Sequence, residues 1–130
     1  NTAMMAGSIA DGVAAAGGEA ELITVDQASV DALKDASVIA LGCPSMGAEQ
    51  LEETQMEPFM CELDGVIAGK QIALFGSYGW GNQEWMRDWE DRIVADGATV
   101  VNGEGIAVNG TPGPDAEDEL KALGQTLASL

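Results

Sequence analysis

Residues 74–89 read LFGSYGWGNQEWMRDW, and the fold turns on how this stretch is parsed. An apolar run over 72–75 ends at Gly76-Ser77, passes through Tyr78-Gly79-Trp80-Gly81, and enters a segment with Trp85 and Trp89 four apart. That is the pattern of a strand, a loop and a helix in succession. Trp80 stands between two glycines in the loop, where no regular element buries it and backbone donors are exposed, so a planar ligand suits the place. The competing reading, a tryptophan folded back over the helix behind it, is the commoner fate of an isolated loop tryptophan. A second feature has to decide between them.

Working outward, the 130-residue chain is of a length for one domain with one core, and its 46% hydrophobic content argues against disorder. The 22 acidic side chains stand against 5 basic ones, a formal charge of −17. Nucleic-acid binding is therefore not expected, because phosphate backbones need Lys and Arg to displace their counterions. Cationic protein partners fit this charge, and so does acidity kept for solubility alone. Histidine is absent, and Cys43 and Cys61 have neither redox nor zinc spacing, which excludes imidazole catalysis and His-ligated metal sites. No apolar stretch is long enough to span a bilayer, and no basic segment followed by an apolar one opens the chain, so a cytoplasmic location is expected.

In chain order, Asn1-Thr2 has the character of a helix N-cap, and Met5, Ile9 and Val13 recur every four residues before Gly17-Gly18 ends the segment. Residues 20–25 (AELITV) are expected to form a strand, with a short connection or one-turn helix over 30–33. Residues 37–41 (SVIAL) are almost continuously apolar, the pattern of a central strand covered on both faces. They end in Gly42-Cys43-Pro44-Ser45-Met46-Gly47-Ala48-Glu49. An acidic helical segment over 51–63 follows, with Pro58 expected to break it near its middle. Residues 70–75 make the next strand, after which Trp85, Trp89 and Ile93 mark the buried face of a helix carrying Arg87 and Arg92. Residues 98–101 and 106–108 are expected as two pieces of one last strand, interrupted at 102–105. A turn over 109–114 leads to a closing helix with Asp115 near its start and Leu120, Leu123 and Leu127 facing inward. Strands alternating with helices imply a doubly wound parallel sheet with helices on both faces.

In such a sheet ligands bind outside the carboxyl ends of the strands, where the strand order reverses. The loops CPSMGAE and GSYGWGN each follow an apolar strand directly, so both open on that edge. Met46 from one and Trp80 from the other could cover the two faces of a flat ring system, while glycine N–H groups reach its polar edge. Asn1-Thr2, at a helix N-terminus on the same edge, suits a phosphate through free N–H groups and the helix dipole. A ring with a phosphate tail points to flavin mononucleotide, FMN.

At this point the sequence resembles the short-chain flavodoxins of the clostridial type. The likeness is carried by NT at 1–2, ALGCPSMGAEQLEE at 40–53, EPF at 57–59, ALFGSYGWGNQEWMRDWEDR at 73–92 and the acidic closing helix. The resemblance implies a five-stranded parallel sheet in the order 2-1-3-4-5, the flavodoxin topology, over a single domain spanning 1–130. It also implies non-covalent FMN binding and low-potential one-electron transfer. Met46 would then lie against one face of the isoalloxazine and Trp80 on the other. The Gly47-Ala48 peptide would turn its carbonyl toward flavin N5 on reduction, Glu49 would bind the pyrimidine edge, and Gly79 would offer its N–H to the ring oxygens. Ser45, Ser77, Tyr78 and Gly81 would line the rest of the pocket. Thr2 matches the last threonine of the family's phosphate loop, with Asn1 before it. The family's first strand and the start of that loop would precede Asn1, so the domain is expected to be N-terminally incomplete here, by roughly a dozen residues.

Two rival classes share the architecture. A phosphoacceptor receiver domain needs an Asp at the end of the middle strand and a Lys at the end of the last, where this chain has Gly42-Cys43 and Asn109. An NAD(P)H-dependent FMN or quinone reductase needs room over the flavin for a second planar substrate, which a stacked Trp80 would deny. The expected protein is therefore an electron-transfer flavoprotein rather than an enzyme, a monomer if its N-terminus is complete. Its expected partners are redox proteins with basic docking faces, such as ferredoxin-type oxidoreductases and hydrogenases, in complexes that weaken with salt.

Overall fold

A computed structural model describes residues 2–44, 55–79 and 83–130. The elements run α1 (Thr2–Ala15), α2 (Val30–Leu33), β1 (Val38–Gly42), α3 (Met56–Leu63), β2 (Gln71–Tyr78), α4 (Glu84–Ala95), β3 (Thr99–Val100), a 3-10 turn (Val101–Gly103), β4 (Ile106–Asn109) and α5 (Pro114–Ala128). All described strand pairs are parallel. β1 lies along one edge of β2, Val38 opposite Gln71 through Gly42 opposite Phe75. β3 pairs with Gln71 and Ile72, and β4 with 75–78, so the two follow one another along β2 as two pieces of one strand, as the sequence implies.

β2 is the centre of this sheet. Six consecutive residues, 72–77, are buried, because both faces of the strand are covered. Alternation along the strand divides the core in two. Ile72 and Leu74 join Met60 and Leu63 of α3 and Trp85, Trp89 and Ile93 of α4. Ala73 and Phe75 join Met5, Ile9 and Val13 of α1 and Leu120, Leu123 and Leu127 of α5. Helices thus cover both faces, and the apolar positions read from the sequence for α1, α4 and α5 are the buried ones. At roughly 2 kcal/mol for each fully buried large side chain, these two layers supply most of the drive for folding.

The two helices against Ala73 and Phe75 meet backbone to backbone. A Cβ on Gly12 would stand 2.0 Å from the Lys121 carbonyl oxygen, and one on Gly124 would stand 2.1 Å from that of Ile9. Only glycine permits this approach.

Four expectations are corrected. Residues 20–25 are not a strand: no described strand lies beside them to accept a ladder, and Leu22 and Ile23 are exposed. β1 is the edge rather than the centre of the described sheet, with Ala40 exposed between buried Ile39 and Leu41. Pro58 does not break its helix but is the third residue of α3, in the first turn, where a missing N–H costs nothing. β2 does not end at Phe75 but continues through Gly76 and Ser77 to Tyr78, held there by β4.

Candidate functional site

The carboxyl ends of β1 and β2 and the N-terminus of α1 converge. The Thr2 hydroxyl lies 3.2 Å from the Ser77 hydroxyl, and the Ser77 N–H donates to Thr2 Oγ1 at 3.4 Å. α1 packs over Ala73 and Phe75, so its first turn is delivered to the end of β2. Among the described residues Ser77 is the one polar side chain in the buried set, 8% exposed. Its hydroxyl and that of Thr2 are uncharged, and the first-turn amides of α1 lack intrahelical acceptors. This donor set fits a phosphate dianion, whose binding at a helix N-terminus is favoured by the dipole.

On the other side of β2, Tyr78 and Trp85 pack with ring centroids 5.6 Å apart at 52°. The Gln83 side-chain amide donates to the Tyr78 hydroxyl at 3.1 Å. Gln83 itself caps α4 with φ of 68°, which turns the chain sharply into the helix. The buried Trp85 Nε1–H donates to the Cys43 carbonyl at 3.2 Å, and Cys43 N–H in turn donates to the Phe75 carbonyl at 3.1 Å. Between them sits Gly76, where a Cβ would come 2.1 Å from Cys43 O and 3.2 Å from Trp85 Cζ2.

Of the residues expected at the site, Thr2, Ser77, Tyr78 and Gly79 are described, and they lie together at this edge. Asn1, Ser45, Met46, Gly47, Ala48, Glu49, Trp80 and Gly81 lie outside the described residues. Two concavities formed by described residues lie elsewhere, one against Asn102, Glu104 and Glu119 and one against Val25, Pro58 and Phe59. The sequence reading treated Trp85 only as core, like Trp89. Both are 1% exposed, and nothing in their spacing distinguishes the one that holds a loop carbonyl.

Below the site α3 and α4 are tied by one cation. Arg92 reaches Asp64 through Nη2 at 2.6 Å and Glu57 through Nη1 at 2.8 Å. Burial by itself would raise the Asp64 carboxyl, but hydrogen bonds from Arg92 and Asp96 and the guanidinium charge outweigh it and hold Asp64 below the ordinary carboxylate value. The hydrogen bond to Asp64 is the largest influence on Arg92, and its pKa is raised well above the usual guanidinium value despite burial. Asp96 is pushed up to about 6 by burial, then by its hydrogen bond with Asp64 and that group's charge. Sequence reading placed Arg92 on the polar face of α4 but had no signal for partners 28 and 35 residues away.

The sequence and the fold are both similar to those of known proteins. The sequence model of the flavodoxin family matches residues 1–124. The chain is 43% identical to the flavodoxin of Megasphaera elsdenii over 128 residues, covering 98% of this chain and 90% of that protein. It is 41% identical to the flavodoxin of Clostridium beijerinckii over 131 residues, covering 100% and 93%. The solution structure of two-electron reduced Megasphaera elsdenii flavodoxin superposes with a TM-score of 0.89 at 42% identity, covering 100% of this chain and 92% of that one. The chain belongs to the flavodoxin family. It is an FMN-binding electron-transfer protein, not an enzyme, and the family does not favour the reductase alternative.

Proposed function

We propose that residues 1–130 form one flavodoxin-like domain that holds FMN non-covalently across the carboxyl ends of β1 and β2. In this reading it is a monomeric, low-potential one-electron carrier of the cytoplasm. The strand order 2-1-3-4-5 belongs to the proposal, with β1 and β2 as its third and fourth strands and β3 with β4 as its fifth. FMN supplies the electron-accepting ring when bound, and the protein sets its environment.

The observation that carries the reading is the contact of Thr2 with Ser77, which puts a helix N-terminus and two hydroxyls where a phosphate tail belongs. Thr2, Ser77 and the neighbouring Asn1 bind the phosphate. Met46 and Trp80 cover the two faces of the ring, Glu49 accepts from its pyrimidine edge, and Gly79 N–H donates to its oxygens. Ser45, Tyr78 and Gly81 complete the lining, and the Gly47-Ala48 peptide is free to turn. The acidic side chains Glu49, Glu52, Glu53, Glu57 and Glu84 oppose added negative charge, each by about 1 kcal/mol at contact in water and more where water is excluded. Glu57 contributes least of these, because Arg92 already pairs with it. The same acidic surface steers redox partners with basic docking faces, and electron-transfer rates should fall as salt screens the attraction.

The test compares FMN with riboflavin, which lacks the phosphate. Charge-assisted hydrogen bonds of about 1.5–3 kcal/mol predict FMN binding roughly tenfold to a hundredfold tighter. Thr2→Val should remove most of that advantage. Equal affinity for the two flavins in the unaltered chain would overturn the assignment of the phosphate end.

A further inference from the structure

We propose that Trp85 is a positioning residue for the flavin loops, joining the root of the loop after β1 to the root of the loop after β2. This rests on the FMN site proposed above and goes beyond it, because Trp85 is not itself among the residues placed against the ligand. Three observations support the assignment. Its indole N–H donates to the carbonyl of Cys43, the last buried residue before 45–49. Its ring packs on Tyr78, the last residue of β2 before the Gly79-Trp80-Gly81 turn. Gly76 leaves the space through which the carbonyl and the indole meet, since any side chain there would strike Cys43 O. A single rigid side chain on α4 therefore sets the separation at which the two loops leave the sheet. A hydrogen bond buried in this way is expensive to leave unmade, because the carbonyl has little access to water.

Trp89 is an internal control. It lies one turn further along α4, is equally buried, and its Nε1 has no hydrogen-bond partner among the described residues. Trp85→Phe and Trp89→Phe remove similar volume from the same core cluster, so a purely structural role predicts a larger loss of thermal stability for Trp85→Phe, which also loses the bond to Cys43, but equal, small losses of FMN affinity. The positioning role predicts the same order of stabilities and in addition a split in binding, with Trp85→Phe weakening FMN about tenfold, the equivalent of one lost hydrogen bond, and Trp89→Phe leaving affinity within about threefold. The Trp85→Phe variant should also shift the first one-electron midpoint potential, and Trp89→Phe should not. Equal affinities for the two variants would overturn the proposal. An unaltered chain that does not bind FMN would overturn the site on which it rests, and the proposal with it.

A second measurement needs no variant that must fold. In the unaltered protein, hydrogen exchange of the two indole N–H groups is followed by NMR with and without FMN. Ligand held between the two loops should slow exchange at Trp85 about tenfold more than at Trp89. The same slowing at both would contradict the assignment.

Discussion

The two faces of the sheet are packed by opposite means. Against Ala73 and Phe75, α1 and α5 approach until backbone meets backbone at Gly12 and Gly124. Against Ile72 and Leu74, α3 and α4 are kept apart by two tryptophans and Phe59, and are tied at the far end by Arg92 between Glu57 and Asp64. At those two glycines no side chain separates the helices, and the contact fixes the α1 N-terminus that would hold a phosphate. The second is held by side chains, Trp85 among them, and lies beside the ends of β1 and β2. In the proposed site the first contact lies at the tail of the cofactor and the second beside its ring.

The comparison breaks most directly at Gly124. Alanine is the better helix former by about 1 kcal/mol, yet its Cβ would press on the Ile9 carbonyl and the Val13 nitrogen, neither of which can move without shifting α1. Gly124→Ala should therefore destabilise the protein by about 3 kcal/mol in urea unfolding. A gain in stability would mean that the helices separate freely and that this face is not the rigid one.

Arg92→Met tests the other face. It keeps the apolar stem of the side chain but leaves Asp64 and Glu57 without their cation, with Asp96 close by. Because these carboxylates are partly exposed, solvent screening limits the loss to about 1–2 kcal/mol. A loss as large as that at Gly124 would show that α3 and α4 are held as rigidly as α1 and α5.

Asp96→Asn sharpens the picture further. Asp96 titrates near 6 in the folded chain, against about 3.9 for an unfolded aspartate, so the folded state holds a proton that the unfolded state has released between these values. Stability falls as pH rises through this window, and the loss is complete above it. Asp64 runs the other way, since its lowered value adds stability that disappears as pH drops below the ordinary carboxylate range. The asparagine variant should flatten the fall between about pH 4 and 6 and raise stability at pH 7 by about 1 kcal/mol. Thermal unfolding across that range checks both parts, and an unchanged pH profile would remove Asp96 from the account. The smallest effect is expected for Thr2→Val, which loses the hydroxyl pair with Ser77 and should cost the ligand-free protein about 1 kcal/mol or less.

Much of this was legible in the residues, because periodicity reports burial. Met5, Ile9 and Val13, or Leu120, Leu123 and Leu127, recur at helical spacing, and each set faces the core. The interruption at 102–105 likewise announced two strand pieces. What failed depended on neighbours distant in the chain. The run 20–25 has strand composition, but a strand exists only where another accepts its ladder. The apolar run 37–41 could not say which of its edges would be paired. Gly76-Ser77-Tyr78 carry a turn signal that pairing with β4 overrode. The motifs around Met46 and Trp80 made the family legible, whereas the bond from Trp85 to Cys43 spans 42 residues and leaves no local trace.

The central claim is most directly tested by titrating FMN into the purified chain while following flavin and tryptophan emission together. Stacking of Trp80 on the ring predicts that both signals are quenched in parallel and saturate at one FMN per chain. Flavin emission that is unaltered at a stoichiometric excess of protein would contradict the proposed site.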